Sequence, residues 1–338
     1  LIAFIDPDVD GRVLRRAAIE ALGSSAGVRF VTADFSTIFA RDNALAARDA
    51  RGRAVLVVPR QGRGAPGDAE PLDRRAVERQ LGVRVVASRF HWQGGNILFD
   101  GGTLAVGADT IAENAARLGL TADEVTHGLA AELGSDLTVL GNPAAARWDD
   151  ERHRMSRSGQ ASYHIDLDAA LLGPSRGSGQ PIALVADATS GLALLDPLLA
   201  RDAIPRPPLL SPASARTLMA HEYRQSVRVR EPVLRSYRDA LTQRGYRIVG
   251  VPELRTRELN ENASGLPEIV YCNVLPGLNR RRPAVHYLPW NIPSIDEAAE
   301  LAFKRAGARA IRVARTSYLA TAAMERAAGL RCFCGAMP

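Results

Sequence analysis

Short apolar strands recur along this chain in one order, strand, strand, helix, strand, with no long linker between successive units. Ala54 to Val58 reads as a buried strand, Leu72 to Leu81 as a helix and Val83 to Ala87 as the next strand. The order returns where Asp100-Gly101-Gly102 makes a hairpin turn into Thr103 to Val106. Helices follow near Thr110 to Leu118 and, from a Thr121/Glu124 capping box, to Leu133, and then a strand at Leu137 to Leu140. It returns again with a strand at Ile182 to Val185, a long helix over Ser226 to Arg244 stopped by Gly245, and a strand at Tyr246 to Val251. The last round has strands at Glu268 to Leu275 and Ala284 to Leu288. A helix from a Ser294/Glu297 capping box through Arg305 then leads to a strand at Ala310 to Val313. So many paired strands exclude a doubly wound parallel sheet, and no Gly-rich phosphate loop runs from a strand into a helix. Successive strand-strand-helix-strand units predict an α/β fold of modules set in a ring around a central axis.

The rest of the chain is expected to connect these units. Leu1 to Ile5 and Val28 to Val31 read as strands flanking an amphipathic helix over Gly11 to Leu22, and Gly62 to Gly67 as a Gly/Pro loop. Trp148 to Gln160 is dense in charge and reads as a surface loop over the site; Ala203 to Pro212 is proline-rich and loop-like. The chain of 338 residues can bury a large core, and 46% hydrophobic with 24% charged residues is a globular composition. The expectation is one domain spanning residues 1–338. No apolar run is long enough to span a bilayer. Leu1 to Ile5 is followed at once by Asp6-Pro7-Asp8, which reads as a first strand and not a secretory signal; the cysteine usage makes the cytoplasm the expected compartment. The formal charge is +6, yet the arginines recur along nearly the whole chain and form no single basic stripe; neither nucleic acid nor membrane is an expected partner. Cys272, Cys332 and Cys334 make neither a disulfide framework nor the ligand spacing of a structural zinc site.

Ser162-Tyr163-His164-Ile165-Asp166-Leu167-Asp168 alternates like a half-buried strand, with His164, Asp166 and Asp168 on its polar face. An imidazole and a carboxylate two residues apart on a strand point the same way, about 7 Å apart. Such a pair can flank one small substrate group, the histidine moving protons and the carboxylate holding a cation. The plainer reading is an edge strand with a solvated face, and partners elsewhere decide between the two. His91, His127, His153, His221 and His286 have no comparable partners in sequence, and Cys272 in its apolar run reads as core.

The partners come in a recognisable order. Phe39-Ala40-Arg41-Asp42-Asn43, Gln93-Gly94-Gly95-Asn96, His164-Ile165-Asp166, Tyr271-Cys272-Asn273 and Gly329-Leu330-Arg331-Cys332, with Pro338 six residues on, follow one another as in guanidine-modifying enzymes. Across nearly its whole length the sequence resembles the pentein superfamily, in its agmatine deiminase and bacterial peptidylarginine deiminase branch. The resemblance implies a five-bladed α/β propeller of strand-strand-helix-strand modules around a pseudo-fivefold axis. It implies that Cys332 is the nucleophile, His164 the general acid/base, and Asp42 and Asp166 the carboxylates holding a guanidinium, with Asn273, Gln93 and Asn96 also in the substrate pocket.

That chemistry suits the residue types. Two carboxylates can accept the N–H groups of a planar guanidinium and fix its plane, and the bound cation favours thiolate over thiol. The thiolate attacks the guanidinium carbon; His164 protonates departing ammonia and then activates water to hydrolyse the thiouronium. Neither metal nor cofactor is called for. The expected reaction is deimination of an arginine derivative or peptidyl-arginine to a ureido product. An amidinotransferase with the same Cys-His-Asp set, or a binding protein that kept the fold, are the alternatives; self-association is compatible with each. Two positions depart from the family pattern. Gln93 stands where agmatine and arginine deiminases carry glutamate, which points away from agmatine, and Arg331 replaces the usual histidine before the nucleophile. Cys334 lies two residues beyond Cys332, on the same face if that stretch is a strand.

Overall fold

The computed structural model describes residues 2–5, 12, 29–32, 44–60, 74–149, 151–152, 154–174, 179–205, 210–256, 266–277 and 284–313. The described chain forms two compact units, one up to Gly94 and one from Gly95 on.

In the first unit, Ile2–Ile5 pairs in parallel with Arg29–Thr32. Module I follows. Leu45–Arg48 runs antiparallel to Ala54–Val58, which is parallel to Arg84–Ala87 across the helix Arg74–Leu81. The hairpin turn is set by Asp49, whose carboxylate accepts the Arg51 and Arg53 amides at 2.9 Å. Leu56 on the central strand meets Val77 and Leu81, one turn apart on the same helix face.

The second unit repeats that pattern three times. Module II pairs Ile97–Phe99 antiparallel with Leu104–Gly107, and the latter in parallel with Leu137–Leu140. Asp100 accepts both turn amides, Gly102 and Thr103, at 3.0 Å. Between the last two strands lie the helices Ala108–Leu118 and Ala122–Leu133, the second opened by the predicted capping box of Thr121 and Glu124. Module III has Ala169–Pro174 antiparallel to Pro181–Asp187, then the helices Ala188–Ala200 and Pro212–Gln243, then Arg247–Pro252 in parallel. Module IV has Leu275–Gly277, Ala284–Tyr287, the helix Pro293–Arg305 and Arg309–Arg312 in the same relation. Among the described residues, four three-stranded sheets have the expected strand-strand-helix-strand topology, and the fold is α/β. One continuous apolar core runs through modules II to IV, with Leu184, Leu195, Tyr237, Val251 and Phe303 among its buried members. No helix among the described residues is long and apolar enough to cross a membrane.

Several elements differ from what the sequence predicts. The long helix begins at Pro212, fourteen residues before the expected start. Ser211 caps it by accepting the Ser214 amide, and Pro212 takes the first helical position, where its missing N–H has no cost. Pro293 plays the same part in module IV; the predicted Ser294/Glu297 box is not formed, and Asp296 accepts the Trp290 amide at 2.8 Å. The predicted strand Glu268 to Leu275 reduces to one bridge, Ile269 to Leu254, ahead of the short Leu275–Gly277. Side chains from other elements hold this stretch: Thr256 and Arg255 engage Glu268, and the Trp290 indole donates to the Val270 carbonyl at 3.1 Å. The charged stretch after Trp148 is not an open loop. Arg147–Asp149 and Arg154–Arg157 form an antiparallel pair, and Gln160 beyond it is buried. The predicted helix Gly11 to Leu22 and the Gly62 to Gly67 loop lie outside the described residues, apart from helical Arg12.

Module III is closed by a contact that only glycine permits. A Cβ on Gly191 would overlap the main-chain carbonyl of Glu253 and lie 3.0 Å from its nitrogen. The neighbour is backbone and cannot swing aside. Gly191→Ala is expected to lower unfolding free energy by about 3 kcal/mol in urea melts; an unchanged midpoint would show that the helix can move away from Glu253 at no cost.

Candidate active site

The segment around His164 is not a strand. His164 is extended (φ −128°, ψ 134°) and caps a single 3-10 turn, Ile165–Leu167, closed by the Asp168 amide donating to the Ile165 carbonyl at 3.0 Å. There is no solvated polar face either. Ile165, Asp166, Leu167 and Asp168 are all fully buried, and His164 nearly so. The polar-apolar alternation is kept inside the protein, where Asp168 accepts from Ser162, Arg230 and Arg255.

Module II grips the segment from one side. The Asn96 side chain donates to the Tyr163 carbonyl at 3.1 Å and accepts the Ile165 amide at 3.2 Å, so both of its ends engage backbone flanking His164. Gln160 donates to Asn96 at 2.8 Å and to the carbonyls of Ser162 and Tyr163. Asp109, in the first turn of Ala108–Leu118, accepts from the Gly159 amide at 2.6 Å and the Ser158 hydroxyl at 2.7 Å, and fixes the stretch from which Gln160 projects. Gly95 lies against the ring of His164, where a Cβ would overlap the imidazole. The ring also meets Tyr163, their centroids 4.7 Å apart.

Module III grips from the other side through a buried charged cluster. Arg230 donates to the Ala161 carbonyl at 2.5 Å, the Ser162 hydroxyl at 3.0 Å, Asp168 at 2.8 Å and Glu253 at 2.7 and 3.2 Å. Arg255 pairs with Glu268 at 2.9 Å, reaches Asp168 at 3.4 Å and donates to the Ser162 hydroxyl. Three carboxylates thus face two guanidiniums. Burial, with the charge of Asp168 adding to it, raises the Glu253 carboxyl above its ordinary range against the pull of Arg230. Burial opposes the charge on Arg230, but Glu253 and Asp168 outweigh it and hold the guanidinium protonated.

Of the residues the sequence singled out, His164, Asp166 and Asn96 come together in the second unit. Asn273 is buried in the same unit, next to Cys272. The Cys272 thiol is pushed up, first by burial and then by the charges of Glu253 and Asp168, which disfavours a thiolate and agrees with a core role. Gln93 is half-buried at the end of the first unit. Asp42, Arg331, Cys332 and Cys334 lie outside the described residues. Among the described residues, no three His, Cys, Asp or Glu side chains are placed to hold a metal ion.

Arg230, Glu253, Arg255, Gln160 and Asp109 went unread in the sequence. For Arg230 a signal existed. Tyr223, Ser226, Arg230, Leu234, Tyr237 and Leu241 recur at spacings of three and four and form the buried stripe of their helix. An arginine on such a stripe needs a buried acceptor.

Comparison with known proteins agrees with this architecture. No protein-family model matches the sequence, and no curated protein does. Among solved structures, C. jejuni agmatine deiminase superposes with a TM-score of 0.57 at 13% identity, covering 99% of this chain and 80% of that one. The fold is shared with that enzyme. A Cys-to-Ser variant of the same C. jejuni enzyme with substrate bound superposes with a TM-score of 0.54 at 13% identity, over 95% of this chain and 80% of that one.

The environment of Asp109 makes one expectation for pH. Burial pushes its carboxyl from the ordinary 3.8 up to about 6, and the bonds from Gly159 and Ser158 offset only part of that. A carboxyl raised in the folded state adds stability in full below the unfolded value, and that stability is lost as pH rises through the folded one. Asp109→Asn keeps the Gly159 bond and has no charge to bury. It should gain on wild type between pH 4 and pH 8, by on the order of 2 kcal/mol. Denaturation midpoints of both proteins at the two pH values measure this, and a pH-independent gap between them would contradict the assignment.

Proposed function

We propose that this protein is a cysteine-dependent hydrolase acting on the C–N bond of a guanidine. In this reading Cys332 attacks the guanidinium carbon, His164 carries protons, and Asp42 and Asp166 hold the cation. Ammonia leaves, and water resolves the thiouronium to a ureido product. The observation that carries the proposal is the pairing of a fold shared with agmatine deiminase over almost the whole chain with His164 and Asp166 buried in one braced turn. A histidine and an aspartate that only decorated a surface strand would need no such bracing. The substrate is an arginine derivative or peptidyl-arginine. Gln93 is uncharged where a glutamate would add a negative charge to the pocket, so the pocket asks less of a small cation such as agmatine. Asn273 and Gln93 complete the pocket. Asn96 belongs to the turn, since its side chain is bonded to Gln160, Tyr163 and Ile165.

The test is ammonia release and the +1 Da ureido product on agmatine, arginine, an N-acylated arginine and an arginyl peptide. N-acylated or peptidyl arginine should be preferred. Cys332→Ala should abolish turnover and Cys334→Ala keep most of it, because only one sulfur can sit about 3 to 3.5 Å from the reacting carbon. Release of ammonia only when an amine acceptor is absent, with transfer when one is present, would assign amidino transfer instead. Preference for agmatine over every arginine derivative would overturn the substrate class.

A further inference from the structure

Arg230 is 1% exposed and sits at the middle of the buried stripe of Pro212–Gln243. Its guanidinium has five N–H groups and makes five hydrogen bonds. Three of them converge on the two flanks of one short segment. Ala161 and Ser162 precede His164, and Asp168 follows Asp166. The other two go to Glu253, at the end of the strand Arg247–Pro252. Ser162 and Asp168 are also joined directly, at 2.5 Å. The same helix adds Tyr237, whose hydroxyl accepts the Ala161 amide at 3.0 Å.

We infer that Arg230 is a positioning residue for His164 and Asp166, its planar guanidinium clamping both ends of the segment that carries them. The clamp is a matter of geometry; that it serves catalysis rests on the hydrolase reading given above. Planarity matters. A guanidinium offers its donors in one rigid fork and can bridge Ala161, Ser162 and Asp168 at once, whereas an ammonium offers three donors from a single point. The turn can then keep its fold under an Arg-to-Lys exchange and still lose its spacing. A displacement of about 1 Å between reacting groups is enough to cost roughly a hundredfold in rate.

The experiment uses the full chain as wild type, Arg230→Lys and Ser162→Ala. The second variant removes only the hydroxyl shared by Arg230, Arg255 and Asp168. Two readouts are taken: steady-state turnover of the preferred guanidine, and the imidazole NMR signals of labelled histidine, with that of His164 assigned by its loss in His164→Gln. In Arg230→Lys, kcat should fall about a hundredfold with KM changed less than about threefold, and the His164 signal should shift in position. Ser162→Ala should do the same to a smaller degree, and it carries the test alone if Arg230→Lys does not fold. A folded Arg230→Lys, or in its absence a folded Ser162→Ala, with unchanged His164 signal and unchanged kcat would overturn the inference. If wild type turns over no guanidine yet the His164 signal still shifts in the variants, the hydrolase reading fails and the clamp stands.

Discussion

A guanidinium shut away from water must find an acceptor for every N–H, and the interior of this protein is built around the five hydrogen bonds that Arg230 makes. Moving such charges out of water costs several kcal/mol per ion, and their attraction repays it only when geometry is good and the remaining donors are satisfied. The donors here are satisfied. The acceptors are in slight excess: Oδ2 of Asp168 and Oε2 of Glu253 have no hydrogen-bond partner among the described residues. Burial, with the neighbouring charge of Asp168, raises Glu253, and removing either arginine leaves buried carboxylates uncompensated, a loss of about 3–5 kcal/mol. An apolar core would stabilise the fold as well. What the ionic one adds is direction, because each bond fixes where a particular atom of the 161–168 segment lies.

The rest of the second unit follows from serving that cluster. The long helix must deliver Ser226, Arg230 and Tyr237 along one stripe, so it is continuous over Pro212–Gln243. Glu253 must sit at the edge of its sheet, and Gly191 lets the helix Ala188–Ala200 pass close to its backbone. On the opposite side, Asp109, Gln160 and Asn96 form a neutral-to-acidic chain of hydrogen bonds that ends on the amide of Ile165. The turn bearing His164 and Asp166 is thus held on one side by the Asn96 side chain bonded to its main chain and on the other by the charged side chains of Arg230 and Arg255.

Much of the module order was legible because strand and helix periods report burial directly: Ala54–Val58 and Leu137–Leu140 have the bounds their sequences predict, and Thr121 with Glu124 caps as expected. The errors share one cause. Ser162 to Asp168 alternates like a strand, yet Asp168 faces buried partners 60 to 90 positions away, which a local period cannot reveal. Glu268 reads as the start of a strand for the same reason, its carboxylate being spent on Arg255 and Thr256. Pro212 looks like a loop residue until it is seen as the first residue of a helix. His164 and Asp166 were legible as a pair; the arginine that clamps them was visible only as an oddity on an apolar stripe.

Native-state hydrogen exchange tests the central claim, that this turn is built in advance and does not form only around a ligand. The amide of Ile165 donates to Asn96, that of Asp168 to Ile165 and that of Ala161 to Tyr237. Without any ligand, all three should exchange only through global unfolding of their unit, with a free energy equal to that from denaturant and falling with the same slope. Exchange of these amides by local opening, at a free energy well below the global value and insensitive to denaturant, would contradict the account.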